Sequence, residues 1–168
     1  MTRVTFDLLP DDARLWAFGT NRGLTTEERT RLLVAVDGFL EQWAAHGSPL
    51  TCARDWRDDR FLAVAVDQRD AHASGCSIDG LYRVLRLVEQ QLGVSVLGGS
   101  NVHYRDESGS VQTMSRAAFA DAAEGGAITR DTPVFDLTVG SAGAGRSGFE
   151  RPARDSWHDQ LLPAPQRA

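Results

Sequence analysis

Two segments of the chain repeat apolar residues at the spacing of an α-helix. The first begins with a capping-box pair, Thr25 and Glu28, and meets a stop at Gly47. The second begins within residues 71–81 and meets a stop at Gly93. Both patterns predict amphipathic helices with one apolar face packed on a sheet. The residues on these faces are Leu32, Leu33, Val36, Phe39, Leu40 and Trp43 in the first, and Leu81, Val84, Leu85, Val88 and Leu92 in the second.

Short apolar runs around these helices are typical of β-strands. They cover residues 14–18, 50–56, 61–66 and 94–105, and the resulting order is strand, helix, strand, strand, helix, strand. This order matches the split βαββαβ pattern of ferredoxin-like folds. We therefore predict an α+β fold, specifically a two-layer ferredoxin-like sandwich.

Further elements follow this unit. The sequence predicts an added C-terminal hairpin, a short helix capped by Ser115 and a last strand. The resulting domain prediction is a flexible lead-in over residues 1–12, a single α+β domain over 13–139, and a Gly/Pro-rich tail over 140–168 with a docking segment near 155–158.

The composition limits the classes of partner. The net charge is −5 and acidic residues are interspersed with arginine, which argues against a nucleic-acid or membrane-surface binder. No apolar run is long enough to span a membrane and no secretory signal is present, so the expected location is cytoplasmic. Cys52 and Cys76 are expected to be free thiols, with no metal site and no cofactor.

The chain contains no lysine. This excludes a lysine Schiff base, a lysine general base and the lysine of a Walker A motif. The nearest approach to that motif, residues 140–147, ends in Arg146 and Ser147, and Pro152 would interrupt the helix that should follow. We therefore interpret residues 140–147 as a linker, and the protein is not expected to be an ATPase.

The strongest chemical hint is a thiol at a helix start. Cys76 follows an apolar strand and begins the second helix, where unpaired N–H groups and the helix dipole favour a thiolate or a bound anion. Alternatively, Cys76 is a small inert residue in a tight turn and one serine is simply the N-cap. If the first and third strands are parallel neighbours, the turn at Asn21 and Arg22 converges with this helix start. The predicted ligand-binding residues are Asn21, Arg22, Ser74, Gly75, Cys76 and Ser77.

Three functional hypotheses follow. The first is a binding or interaction domain that holds a small anionic ligand, or the acidic group of a protein partner, at this edge. The second is a thiol-dependent enzyme or redox sensor with Cys76 as nucleophile and His158 or His72 as base. The third is a structural subunit that forms a homo- or hetero-oligomer through an open sheet edge.

Four short motifs stand out along the chain. They are Thr20-Asn21-Arg22, residues 42–47, residues 73–79 and Asp155-Ser156-Trp157-His158. Together these motifs resemble a family of small uncharacterised bacterial proteins that often carry the label "ABC transporter ATPase". The resemblance covers most of residues 14–158 and implies no known activity. The label of the family conflicts with the absence of a Walker A lysine.

Overall fold

The structure, a computed structural model, describes residues 3–69 and 72–164. The described part of the chain is a mixed α+β protein that divides into two compact units. The first unit lies within Met1–Gly98 and Leu137–Ser147, and the second within Gly99–Asp136 and Gly148–Ala168. Among the described residues, no helix is long and apolar enough to cross a membrane.

The first unit is built on a three-stranded antiparallel sheet. The central strand pairs with both others, so the strand order is β1-β5-β4. Two helices pack against each other beside it, and a two-residue hairpin follows the first helix. The elements are β1 (Arg14–Gly19), α1 (Thr26–Glu41), β2 (Ala44–Ala45), β3 (Ser48–Pro49), β4 (Thr51–Arg57), β5 (Phe61–Asp67) and α2 (Gly75–Leu92).

Local sequence accounts for the ends of both helices. Thr25 accepts a hydrogen bond from the Glu28 N–H, and the Glu28 carboxylate accepts one from the Thr25 N–H, so the predicted capping box is present. Helix α1 ends at Glu41, before the predicted stop at Gly47. His46 and Gly47 have positive φ and form the turn between β2 and β3 instead. Gly93 caps α2 in the left-handed conformation.

The apolar core of this unit lies between the helices and one face of the sheet. Alternate strand residues such as Phe18, Leu62 and Val64 contribute to it, as the period of two along a strand requires. The helices contribute the apolar stripe that the sequence predicts, including Leu32, Val36, Leu40, Leu81 and Leu85.

The sheet differs from the prediction in two ways. β1 and β5 are neighbours but run antiparallel, with Gly19 opposite Phe61 and Arg14 opposite Val66, so the expected parallel pairing is wrong. The expected fourth strand over residues 94–105 is also not formed as one strand. Residues 94–97 are not in a strand, and the strand Asn101–Arg105 belongs to the second unit.

The second unit contains a four-stranded antiparallel sheet. The predicted hairpin and the short helix capped by Ser115 are present. Val102, Phe119 and Val134 are buried in its core. Its elements, in the strand order β7-β6-β8-β9, are β6 (Asn101–Arg105), β7 (Val111–Ser115), α3 (Arg116–Glu124), β8 (Pro133–Phe135) and β9 (Glu150–Pro152).

The region expected to be a loose tail contains regular structure. Helix α4 (Ala142–Ser147) packs on β1, where a Cβ at Gly145 would approach Leu15 to 2.9 Å. Short 3-10 helices at Ala153–Asp155 and Trp157–Leu161 follow β9. Glycine allows α4 to pack closely on β1. The interpretation of residues 140–147 as a linker considered only their composition and therefore missed this helix. Residues 165–168 of the expected tail lie outside the described residues.

The expected flexible lead-in is also structured within the described residues. Phe6–Leu8 forms a 3-10 helix, and Phe6 and Leu9 are buried. Arg3 forms a bridge with Cys52 at the edge of β4. Residues 1 and 2 lie outside the described residues.

Candidate functional site

The structure places Cys76 in the first turn of α2 with its side chain exposed to solvent. Ser74 is the N-cap, and its Oγ accepts a hydrogen bond from the Ser77 N–H at 3.2 Å. The Ser77 hydroxyl donates to the Ser74 carbonyl at 2.8 Å. The two serines thus fix the helix start, whereas the N–H groups of Gly75 and Cys76 have no acceptor within the helix.

A groove of about 290 Å³ lies beside the Cys76 side chain, between the end of α1 and the start of α2. Two of its seven lining residues are aromatic, and Gln42 and Ser77 carry polar side chains. The groove is lined by Phe39, Gln42, Trp43, Ala44, Cys76, Ser77 and Gly80.

Contacts of Phe39, at the end of α1, and of Trp43, just after it, with the start of α2 form the groove. The Trp43 indole N–H donates a hydrogen bond to the Ser77 carbonyl at 3.0 Å, and the ring of Phe39 lies 5.3 Å from that of Trp43. Phe39 also covers Gly80, where an added Cβ would lie 2.8 Å from Cε2 of the ring. A glycine at this position lets the ring reach the backbone of α2. We call this site the Cys76 groove.

Asn21 does not join this groove. Its N–H donates to the Ser95 carbonyl at 3.0 Å, and its Oδ1 accepts from the Ser95 N–H at 3.0 Å. Ser95 follows the C-terminal end of α2, whereas Cys76 lies at its start, about 24 Å away along the helix at 1.5 Å per residue. The predicted convergence of Asn21 with Cys76 is therefore wrong, because antiparallel β1 and β5 send their following loops to opposite ends of the sheet.

Arg22 does not line this groove either. Its guanidinium donates two hydrogen bonds to the Glu28 carboxylate, at 2.9 and 2.7 Å. This bidentate pair is the main cause that lowers the pKa of Glu28 to about 2. Arg22 thus supports the start of α1, and its predicted convergence with Cys76 is wrong for the same reason as for Asn21.

The two histidines proposed as bases have different surroundings. His72 is exposed, four residues before Cys76. His158 is buried in the second unit, where its ring stacks on Trp157 at 3.9 Å and its Nδ1 lies 2.7 Å from the Ser156 hydroxyl. Burial lowers the pKa of His158 to about 4. Among the described residues lining the Cys76 groove, none is a histidine or a carboxylate.

Cys52 provides an internal contrast with Cys76. Both thiols are free, as the sequence predicts. Cys52 is fully buried, and its Sγ lies 3.6 Å from the Leu40 carbonyl. Burial raises the pKa of Cys52 to about 11, so its thiolate is strongly disfavoured.

Five groove residues were not predicted as members of a site, namely Phe39, Gln42, Trp43, Ala44 and Gly80. Gly80 carried a usable signal, because a glycine within an amphipathic helix often marks a close approach. Within the described ranges, no group of three histidine, cysteine or acidic side chains is placed to hold a metal ion. Comparison of the chain with family models, curated proteins and solved structures finds no match.

Proposed function

We propose that this protein is a binding domain that accepts an aromatic or apolar group in the Cys76 groove, with an anionic part of the same ligand at the start of α2. The observation that carries the proposal is the groove itself, which combines the rings of Phe39 and Trp43 with an exposed helix start. Aromatic side chains with a few polar groups are the usual lining of ligand sites. The first-turn N–H groups suit a carboxylate.

The lining favours binding over catalysis. A thiol nucleophile needs a base within hydrogen-bond reach. Gln42 and Ser77 supply polar groups to the groove, but neither is a general base at neutral pH. The proposal therefore keeps Ser74, Gly75, Cys76 and Ser77 at the site and omits Asn21 and Arg22.

Two further expectations from the sequence remain proposals. A ferredoxin-like fold is supported by the strand–helix–strand–strand–helix order and by the strand order β1-β5-β4 of the first unit, whereas the antiparallel pairing of β1 with β5 departs from it. Membership of the small bacterial family rests on the four sequence motifs, of which residues 73–79 carry the proposed site.

A titration with two matched probes tests the proposed function. Indole-3-acetate carries a ring and a carboxylate, and indole-3-acetamide carries the same ring without charge. Heteronuclear NMR should show shifts at Phe39, Gln42, Ala44, Cys76 and Gly80, with tighter binding of the acetate. Shifts that are absent, or that lie away from the groove, would contradict the proposal.

Two variants on one hairpin provide the control. Ala44→Phe places a ring in the groove and should abolish the shifts. Ser48→Phe adds the same ring at an exposed position of β3 outside the lining and should leave them unchanged. Equal responses of the two variants would show that the probes bind elsewhere.

A further inference from the structure

The outward face of α2 carries a second concavity next to the Cys76 groove. It has a volume of about 460 Å³ and is lined by Asp79, Tyr82, Arg83 and Arg86. Cys76 of the groove shares a face of α2 with residues of this concavity, because helical residues three and four apart lie on one face. Cys76, Asp79, Arg83 and Arg86 follow that spacing.

The two arginines in this concavity are free to bind an anion. Arg83 and Arg86 are exposed, and neither makes an ion pair or hydrogen bond with a residue in the described part of the chain. Seven other arginines of this unit are instead paired with carboxylates. Those seven are Arg3, Arg22, Arg29, Arg54, Arg57, Arg69 and Arg146.

The other two lining residues are Asp79 and Tyr82, and with them the net charge of the concavity remains positive. Asp79 contributes one negative charge against the two guanidinium charges. Tyr82 is held by an edge-to-face contact with Phe18, with ring centroids 5.6 Å apart. Leu87, four residues after Arg83, is 53% exposed and adds an apolar side chain beside that arginine. Arginine and tyrosine beside apolar surface are typical of protein interfaces.

The shape of the concavity favours a macromolecular ligand. All four lining residues belong to α2, so a ligand is covered on one side only. Sites for small molecules usually enclose most of the ligand surface. A partner protein would supply the missing wall, and its carboxylates would match the unpaired guanidinium groups.

We propose that α2 binds an extended acidic segment of a partner protein, with its carboxylates at Arg83 and Arg86 and an apolar or aromatic side chain in the Cys76 groove. This inference rests on the proposed function and names its ligand class. The rise of 1.5 Å per residue places Arg83 about 10 Å and Arg86 about 15 Å along the helix from Cys76. An extended peptide covers that distance with about three to five residues.

Fluorescence anisotropy with two labelled peptides tests the proposal. One peptide carries tryptophan, a three-glycine spacer and two glutamates, and the other has glutamines in place of the glutamates. The full chain should bind the glutamate peptide about tenfold more tightly, and added salt should remove this difference. Equal affinities, or no binding of the glutamate peptide at about 1 mM, would overturn the proposal.

Matched arginine variants test whether Arg83 and Arg86 bind the glutamates of the peptide. The double variant Arg83→Gln with Arg86→Gln should bind the glutamate peptide only as well as the glutamine peptide. Arg31→Gln removes another exposed arginine, on α1 and outside the concavity, and should change neither affinity. An unchanged affinity in the double variant, or an equal loss in Arg31→Gln, would overturn the proposal.

The two proposals fail in different ways. Loss of the preference for the glutamate peptide in the double variant tests Arg83 and Arg86. Loss of indole-3-acetate binding in Ala44→Phe tests the groove alone. If indole-3-acetate shifts the groove but the peptides bind equally, the proposed function stands and the acidic segment is rejected. If the groove does not respond, both proposals fail.

Discussion

The ring of Phe39 lies directly over Gly80, so that a Cβ at Gly80 would be 2.8 Å from Cε2 of the ring. This contact joins the end of α1 to the first turns of α2 and shapes the Cys76 groove. The groove therefore depends on one glycine in the interior of a helix, where alanine is ordinarily favoured by about 1 kcal/mol.

Two glycine-to-alanine variants should distinguish the effect of helix propensity on stability from the effect of packing at Gly80. Gly38→Ala, in α1, meets no atom within 4 Å and should raise the free energy of unfolding by about 0.5–1 kcal/mol. Gly80→Ala should lack this gain because the ring of Phe39 must move. Urea unfolding of both variants measures the difference, and an equal gain in both would contradict the packing.

The two thiols should differ sharply in reactivity. Cys76 is exposed, whereas Cys52 is buried and burial raises its pKa to about 11. A thiol-specific reagent at neutral pH should therefore modify Cys76 alone in the folded protein, and both cysteines in urea. Mass spectrometry of each site provides the check, with Cys76→Ser as the control that should leave no reactive thiol in the folded state. Rapid modification of Cys52 would contradict its burial.

The stability of the protein should fall on mild acidification. Burial lowers the pKa of His158 to about 4; the negative charge of Asp136 opposes this shift and the positive charge of Arg116 adds to it. In the unfolded chain the histidine pKa is about 6.5, so the unfolded state binds a proton first. The free energy of unfolding should be greatest above about pH 6.5 and decrease as the pH falls towards 4.

Histidine variants test this assignment. Urea unfolding of His158→Asn between pH 7 and 4.5 should show a weaker pH dependence than the parent protein. His46→Asn, at an exposed position, should keep the parent slope. A slope that disappears with His46→Asn but persists with His158→Asn would contradict the assignment. Glu28 and Asp106, whose pKa values are lowered to about 2, act mainly below this range.

The start of α1 provides a test of local stabilisation. Thr25→Ala removes the hydroxyl that accepts the Glu28 N–H and should cost about 1 kcal/mol. Thr30→Ala removes a hydroxyl that bonds only to the Thr26 carbonyl within the helix and should cost much less. Chemical unfolding of the two variants compares them, and equal losses would argue against the cap.

Local signals predicted local structure well. The predicted caps at Thr25 and Ser115 are present, and the serine cap expected for α2 is Ser74, because each cap depends on residues within one helical turn. Gly47 was misinterpreted because glycine suits a helix stop and a hairpin turn equally, and only the pairing of Ala45 with Ser48 distinguishes them.

Structure that depends on contacts between distant parts of the chain was predicted less well from the sequence. Strand direction depends on which residues pair across the sheet, and apolar alternation within β1 and β5 does not encode it. The error in direction placed Asn21 and Arg22 at the predicted site, whereas the antiparallel pairing puts them at the other end of the sheet. Cys76 was found because its position at a helix start is local, whereas Phe39 joined it only through packing between α1 and α2.

The most direct test of the Cys76 groove is the rate of Cys76 alkylation with and without saturating indole-3-acetate. Occupation of the groove should slow alkylation of Cys76 several-fold in the parent protein and in Ser48→Phe, but not in Ala44→Phe. An unchanged rate in the parent protein at saturation would contradict the assignment of this groove as the binding site.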